Sequence, residues 1–149
     1  MKILLAAHPD DECLIAAPEK FDKIVIVFGD RIDRMDFAER RKKAIAKHPL
    51  KDKIIHLNLE ESNYWRDKNM YVEYSENYED LRDWLKENIK DDDEITTHNF
   101  YGEYGHDDHK LCWSACMDTV NCKVNGQDPK IYRDIKQAYK EEGVWTWDI

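Results

Sequence analysis

No stretch of about 18 consecutive apolar residues occurs in the sequence, so no membrane-spanning helix is expected. An excess of positive charge is missing too. Lysine and arginine number 23 against 32 acidic residues, a formal net charge of −9. Phosphate backbones and anionic lipid faces repel such a surface, which excludes a general nucleic-acid binder. An export signal is also lacking. The start, Met1-Lys2-Ile3-Leu4-Leu5-Ala6-Ala7, is too short for one, and His8-Pro9-Asp10-Asp11-Glu12 cuts it off. A cytoplasmic protein with reduced thiols is therefore expected. The cysteines, Cys13, Cys112, Cys116 and Cys122, lack the tight C-x2-C pairing of structural zinc sites. Cys112 and Cys116 share a helix face and read as small buried hydrophobes. Repeats, low-complexity tracts and Gly/Ser linkers are absent. A length of 149 residues then points to one domain spanning 1–149.

What is present alternates between short apolar runs and helical periods. Lys2–Ala7 is continuously apolar, as in a strand buried on both faces. Lys23–Phe28 is a second run, ended by Gly29-Asp30, where a turn is expected. Lys53–Leu59 is a third strand and Glu94–His98 a short fourth. Helices are expected at Met35–Lys47, Tyr78–Ile89, His109–Val120 and Ile131–Glu142. In the second of these, Leu81, Trp84, Leu85 and Ile89 form an amphipathic stripe. Asn125–Pro129 reads as the separator between the last two. The alternation predicts an α/β, Rossmann-like three-layer domain with a mostly parallel sheet and strand order about 3-2-1-4(-5).

Such folds bind ligands beyond the carboxyl ends of their strands, where the strand order reverses. His8-Pro9-Asp10-Asp11-Glu12 follows the first strand, and Tyr104-Gly105-His106-Asp107-Asp108-His109 follows the fourth. With that strand order the two clusters face each other across the switch point. Either alone has a plain reading. Proline and acids suit a helix start, and two histidines three apart suit an exposed helix end. Together they occupy the positions that the fold selects for a site. Two imidazoles and a carboxylate form a typical catalytic zinc set with a position left for water. That water loses a proton near neutral pH. Successive carboxylates such as Asp10 and Asp11 point in different directions. One can therefore bind metal while its neighbour serves as general base.

Ala7-His8-Pro9-Asp10-Asp11-Glu12 resembles the AHPDDE signature of the LmbE/PIG-L metal-dependent de-N-acetylases. Gly105-His106-Asp107-Asp108-His109 is similar to that family's second motif, G-H-P-D-H, with Asp107 where the family commonly has proline. The resemblance implies that His8, Asp11 and His109 bind zinc and that Asp10 is the general base. It implies that His106 stabilises the tetrahedral intermediate or assists the leaving amine, and that Tyr104 polarises the amide oxygen. The implied cofactor is Zn2+, with Fe2+ or another divalent ion as the alternative, because availability as well as geometry decides occupancy. The implied reaction removes an N-acyl group, usually acetyl, from a small-molecule amino sugar or sugar conjugate. Family members carry more chain after the second motif. A small or open-ended substrate, or completion of the site by another copy in a homo-oligomer, is therefore expected.

Substrate candidates lie on the same rim. Asp30 and Arg31 follow the second strand, with Arg34, Arg40 and Arg41 nearby. Asn63–Tyr78 carries Tyr64, Trp65, Tyr71, Tyr74 and Tyr78, whose rings can face a sugar or pack the loop. Of these, Asp30, Arg31 and Trp65 are the substrate-binding candidates. His48, His56 and His98 read as structural, and Trp145 and Trp147 as cover for the core. Two further functions stay open. The same water can attack another amide or ester in a small conjugate, or the domain can bind metal without catalysis.

Overall fold

β1 (Lys2–Ala6) is central because both of its faces are apolar: after Lys2 every residue is buried. It pairs in parallel with β2 (Lys23–Arg31) on one side and β4 (Glu94–Thr97) on the other. β3 (Ile54–Glu61) and β5 (Lys123–Gly126) complete a five-stranded parallel sheet of order β3-β2-β1-β4-β5. The computed structural model describes residues 1–31, 36–127, 134 and 137–144.

Alternate side chains of β1 feed two cores, which makes the fold three-layered and Rossmann-like. Ile3 and Leu5 pack with Leu81 and Leu85 of α3 (Tyr71–Asn88) and with Leu111, Cys112, Ala115 and Cys116 of α5 (Asp107–Thr119). Leu4 and Ala6 pack on the opposite face with Ile15 of α1 (Asp11–Ile15) and Ile45 of α2 (Phe37–Ala46). A short α4 (Gly102–Gly105) precedes α5. Among the described residues no helix is long and apolar enough to cross a membrane.

Several boundaries depart from the sequence reading. α3 begins seven residues before Tyr78, at Tyr71, so Tyr71 and Tyr74 are helical rather than loop residues and Tyr78 lies inside the helix rather than at its start. Tyr74 and Tyr78 continue the Leu81–Leu85 stripe and pack on the core. β2 does not turn at Gly29-Asp30. It runs on to Arg31 because pairing with β3 resumes as Asp30↔Glu60 and Arg31↔Glu61 after register shifts. Gly29 is needed at that irregularity, since a Cβ there would lie 1.8 Å from Asn58 Oδ1. Asn58 itself has a φ of 57°. Asn125 and Gly126 belong to β5 rather than to a turn. Residues 137–141 of the expected final helix are helical. Residues 131–133, 135 and 136 of that helix, and Arg34, Met35, Trp145 and Trp147, lie outside the described residues.

Candidate metal centre

β1 lies where the strand order reverses, so its carboxyl end and that of β4 open onto one crevice. His8 follows the first and His98 the second. The chain leaves β1 through a tight turn in which Asp11 N donates to His8 O, and α1 starts at Asp11. Asp10 caps that helix at a φ of 90°, a left-handed conformation costly for a side-chain-bearing residue. Its own N–H donates to Glu12 Oε2 at 2.8 Å, and His48 Nε2 holds the other Glu12 oxygen at 3.2 Å. At the second cluster, His106 caps α5 by accepting from Asp108 N–H through Nδ1. The first turn of α5 thereby presents His109 to the crevice.

His8, Asp11 and His109 converge, all three buried. Asp11 Oδ2 lies 3.2 Å from His8 Nδ1 and 3.1 Å from His109 Nε2. His109 Nε2 is buried, and among the described residues the Asp11 carboxylate is the partner it faces, at a poor angle for a hydrogen bond. A ring nitrogen shut away from water against a carboxylate needs a proton or a cation between them. In the metal-free chain a proton does this. Burial pushes the His109 and His8 imidazoles down, but carboxylate hydrogen bonds outweigh it and raise both above the ordinary histidine range. Burial likewise favours neutral Asp11, yet the two histidines hold its carboxyl far below the usual range. A divalent cation suits the same donor set of two imidazoles and a carboxylate. The residues that could hold a metal ion are therefore present together.

The ligand candidates are backed by further carboxylates. His8 Nε2 lies 2.9 Å from Asp108 Oδ2 and 3.1 Å from Glu61 Oε1. Glu61 in turn accepts from Arg41 Nη1 at 2.6 Å. His109 Nδ1 lies 2.6 Å from Glu103 Oε2, an oxygen shared with His98 Nδ1 at 2.9 Å. The imidazoles of His98, His109 and His106 stack in sequence, with centroids 3.9 and 4.7 Å apart.

A cleft of about 420 Å³ opens over this centre. Its lining includes Asp10, Arg31, Trp65, Tyr104 and His106, five of the residues singled out from the sequence. Partial burial in the cleft, then the charges of Asp11 and Glu12, raise the Asp10 carboxyl above its ordinary value. Burial and neighbouring His109 lower His106 to about 4, so its ring is neutral at pH 7. Burial and nearby carboxylates push the Tyr104 hydroxyl up to about 12. The Trp65 ring lies 5.5 Å from that of His106. Asp30 is in β2 opposite Glu60 and is not part of the cleft lining.

Asp107, the departure from the second motif, does not disturb the start of α5. Its carboxylate accepts from Lys68 Nζ at 2.6 Å, and its carbonyl accepts from Tyr74 OH at 2.8 Å. Tyr64 stacks on Tyr74, and Lys68 lies over the Tyr64 ring. These contacts pin the Trp65 loop beside the cleft.

Sequence reasoning missed Glu61, Glu103 and Asp108 and left His98 as structural. Asp108 lay inside a quoted motif, and His98 follows β4 at the switch point, so both carried a signal. Glu61 lies two residues beyond the expected end of β3. Glu103 had no pattern of its own. Comparison with known proteins found no matching family model, no matching curated protein and no matching solved structure.

Proposed function

We propose that the chain is a zinc-dependent hydrolase of the LmbE/PIG-L type, removing an N-acyl group, usually acetyl, from an amino sugar or sugar conjugate. The observation that carries this reading is the convergence of His8 Nδ1 and His109 Nε2 on one oxygen of Asp11, beneath a cleft lined by Asp10, Tyr104 and His106. A divalent ion held there supplies positive charge that makes water more acidic and polarises the acyl carbonyl.

The chain's own groups supply the rest. Asp10 lines the cleft beside the centre and accepts a proton from the attacking water. His106 accepts a backbone N–H at Nδ1, so neutral His106 carries its proton on Nε2. That N–H is a donor for the oxyanion of the tetrahedral intermediate rather than an acid for the amine. Tyr104 stays protonated and offers a second donor. Asp10 then returns that proton to the nitrogen as the C–N bond breaks, which yields a free amine and a carboxylate. Trp65 offers a ring face to the sugar, and Arg31 a cation beside it.

The test is acetate release from N-acetylglucosamine derivatives by the zinc-loaded protein and by Asp10→Asn. Turnover by the parent is expected. The variant should bind zinc normally and lose about 10²–10⁴-fold in kcat, the usual worth of a positioned base. Full activity of Asp10→Asn would remove Asp10 from that role. Full metal occupancy without turnover of any N-acyl substrate would favour a binding protein instead.

A further inference from the structure

We propose that Glu103 is a positioning residue for the metal ligand His109, and that His98 ties its carboxylate to the end of β1. The inference rests on the metal-centre reading above. His98 Nε2 accepts the Ala7 backbone N–H at 3.0 Å. Its proton is therefore on Nδ1, which donates to Glu103 Oε2 at 2.9 Å. Glu103 has no spare proton in this arrangement, so His109 Nδ1–H donates to it as well, at 2.6 Å. With Nδ1–H committed to Glu103, Nε2 is the nitrogen of His109 left to face Asp11, and the one that would ligate a cation in place of the proton.

The same bonds join the two halves of the centre. Ala7 immediately precedes His8, so one relay runs from the His8 turn through His98 and Glu103 to His109. His98, Glu103 and His109 are themselves close enough to hold an ion. Both ring nitrogens of His98 are already committed, however, so this group orients a ligand rather than forming a second centre.

The local backbone is bent to deliver the carboxylate. Glu103 has a φ of 61° and a ψ of −78°, inside α4, and is 3% exposed. Asn99 holds this conformation. Its Oδ1 accepts from the N–H groups of Tyr101 and Glu103, and its own N–H donates to Glu103 Oε1 at 3.1 Å. A left-handed glutamate with no role behind His109 would cost folding energy without return.

The experiment measures zinc affinity by competition with a chromophoric chelator, and the visible spectrum of the Co2+-loaded protein. The full chain, Glu103→Gln and His98→Gln are compared. Outer partners of a ligating histidine typically contribute about 10–100-fold in metal affinity. Glu103→Gln is expected to lose affinity in that range and to shift the cobalt bands. His98→Gln leaves the carboxylate in place but unanchored, and a smaller loss in the same direction is expected. It carries the test if Glu103→Gln does not fold. Affinity and cobalt spectra equal to the parent's in the folded variants would overturn the proposal, even if their metal-free melting temperatures fell. A parent chain that binds no zinc would remove the metal reading and this inference with it.

Discussion

At the residue scale, Asp10 and Asp11 show how adjacent side chains of one type are made to differ. Asp11 is buried between two imidazoles, which favour its charge. Asp10 is turned into the cleft by a positive φ, and its surroundings make it more basic. The histidines divide in a parallel way. Burial lowers His98 and His106, whereas carboxylates raise His8 and His109. The sign for stability follows by linkage. Below pH 6.5 the unfolded chain takes up protons at His98 and His106 that the folded chain takes up only at lower pH, near 4 for His106. His8 and His109 are protonated in both states there and contribute no slope. The metal-free protein is thus expected to lose stability as the pH falls through this window. Urea melts at pH 6, 5.5 and 5 in chelator check this, and an unchanged midpoint would contradict it.

At the scale of elements, the carboxyl end of β1 and the first turn of α5 carry the centre, and the Trp65 loop flanks it. Lys68 and Asp107 form an exposed latch on that loop, while Tyr64 stacked on Tyr74 holds it from beneath. An exposed ion pair contributes about 0–1 kcal/mol. Lys68→Ala is therefore expected to raise KM by no more than about fivefold and to leave kcat nearly unchanged. A large fall in kcat in steady-state assays would place the latch in the chemistry instead.

The sheet order and the meeting of the two clusters were legible in the sequence because unbroken apolar runs mark buried parallel strands. The fold rule then selects the residues after them. Element ends were less legible. β2 and β3 extend to Arg31 and Glu61 because they pair with each other beyond the apolar run, and no local pattern encodes that pairing. The start of α3 was hidden because its first turns are tyrosine-rich and polar. Tertiary packing of Tyr74 and Tyr78 decides it. Glu103 was illegible because its importance lies in a left-handed φ and a shared hydrogen-bond partner, neither of which a residue type announces.

At the scale of the whole molecule, the site gathers buried acids and imidazoles from the turn after β1, α1, β3, the segment after β4, α4 and α5. Such a cluster is costly to bury without a counter-charge. A bound ion would join these elements and stabilise the folded state by mass action. At zinc about a thousandfold above its Kd the gain is about 4 kcal/mol, which for a domain of this size raises Tm by on the order of 10 °C. Chelator should reverse the shift in scanning calorimetry, and a Tm indifferent to zinc would contradict the expectation.

The central claim is that His8, Asp11 and His109 together hold a divalent metal. Anomalous diffraction at the zinc edge from zinc-loaded crystals tests it most directly. One strong peak is predicted, about 2.0–2.2 Å from a nitrogen of each histidine and an oxygen of Asp11. No peak there, or a peak ligated by other residues, would contradict the account.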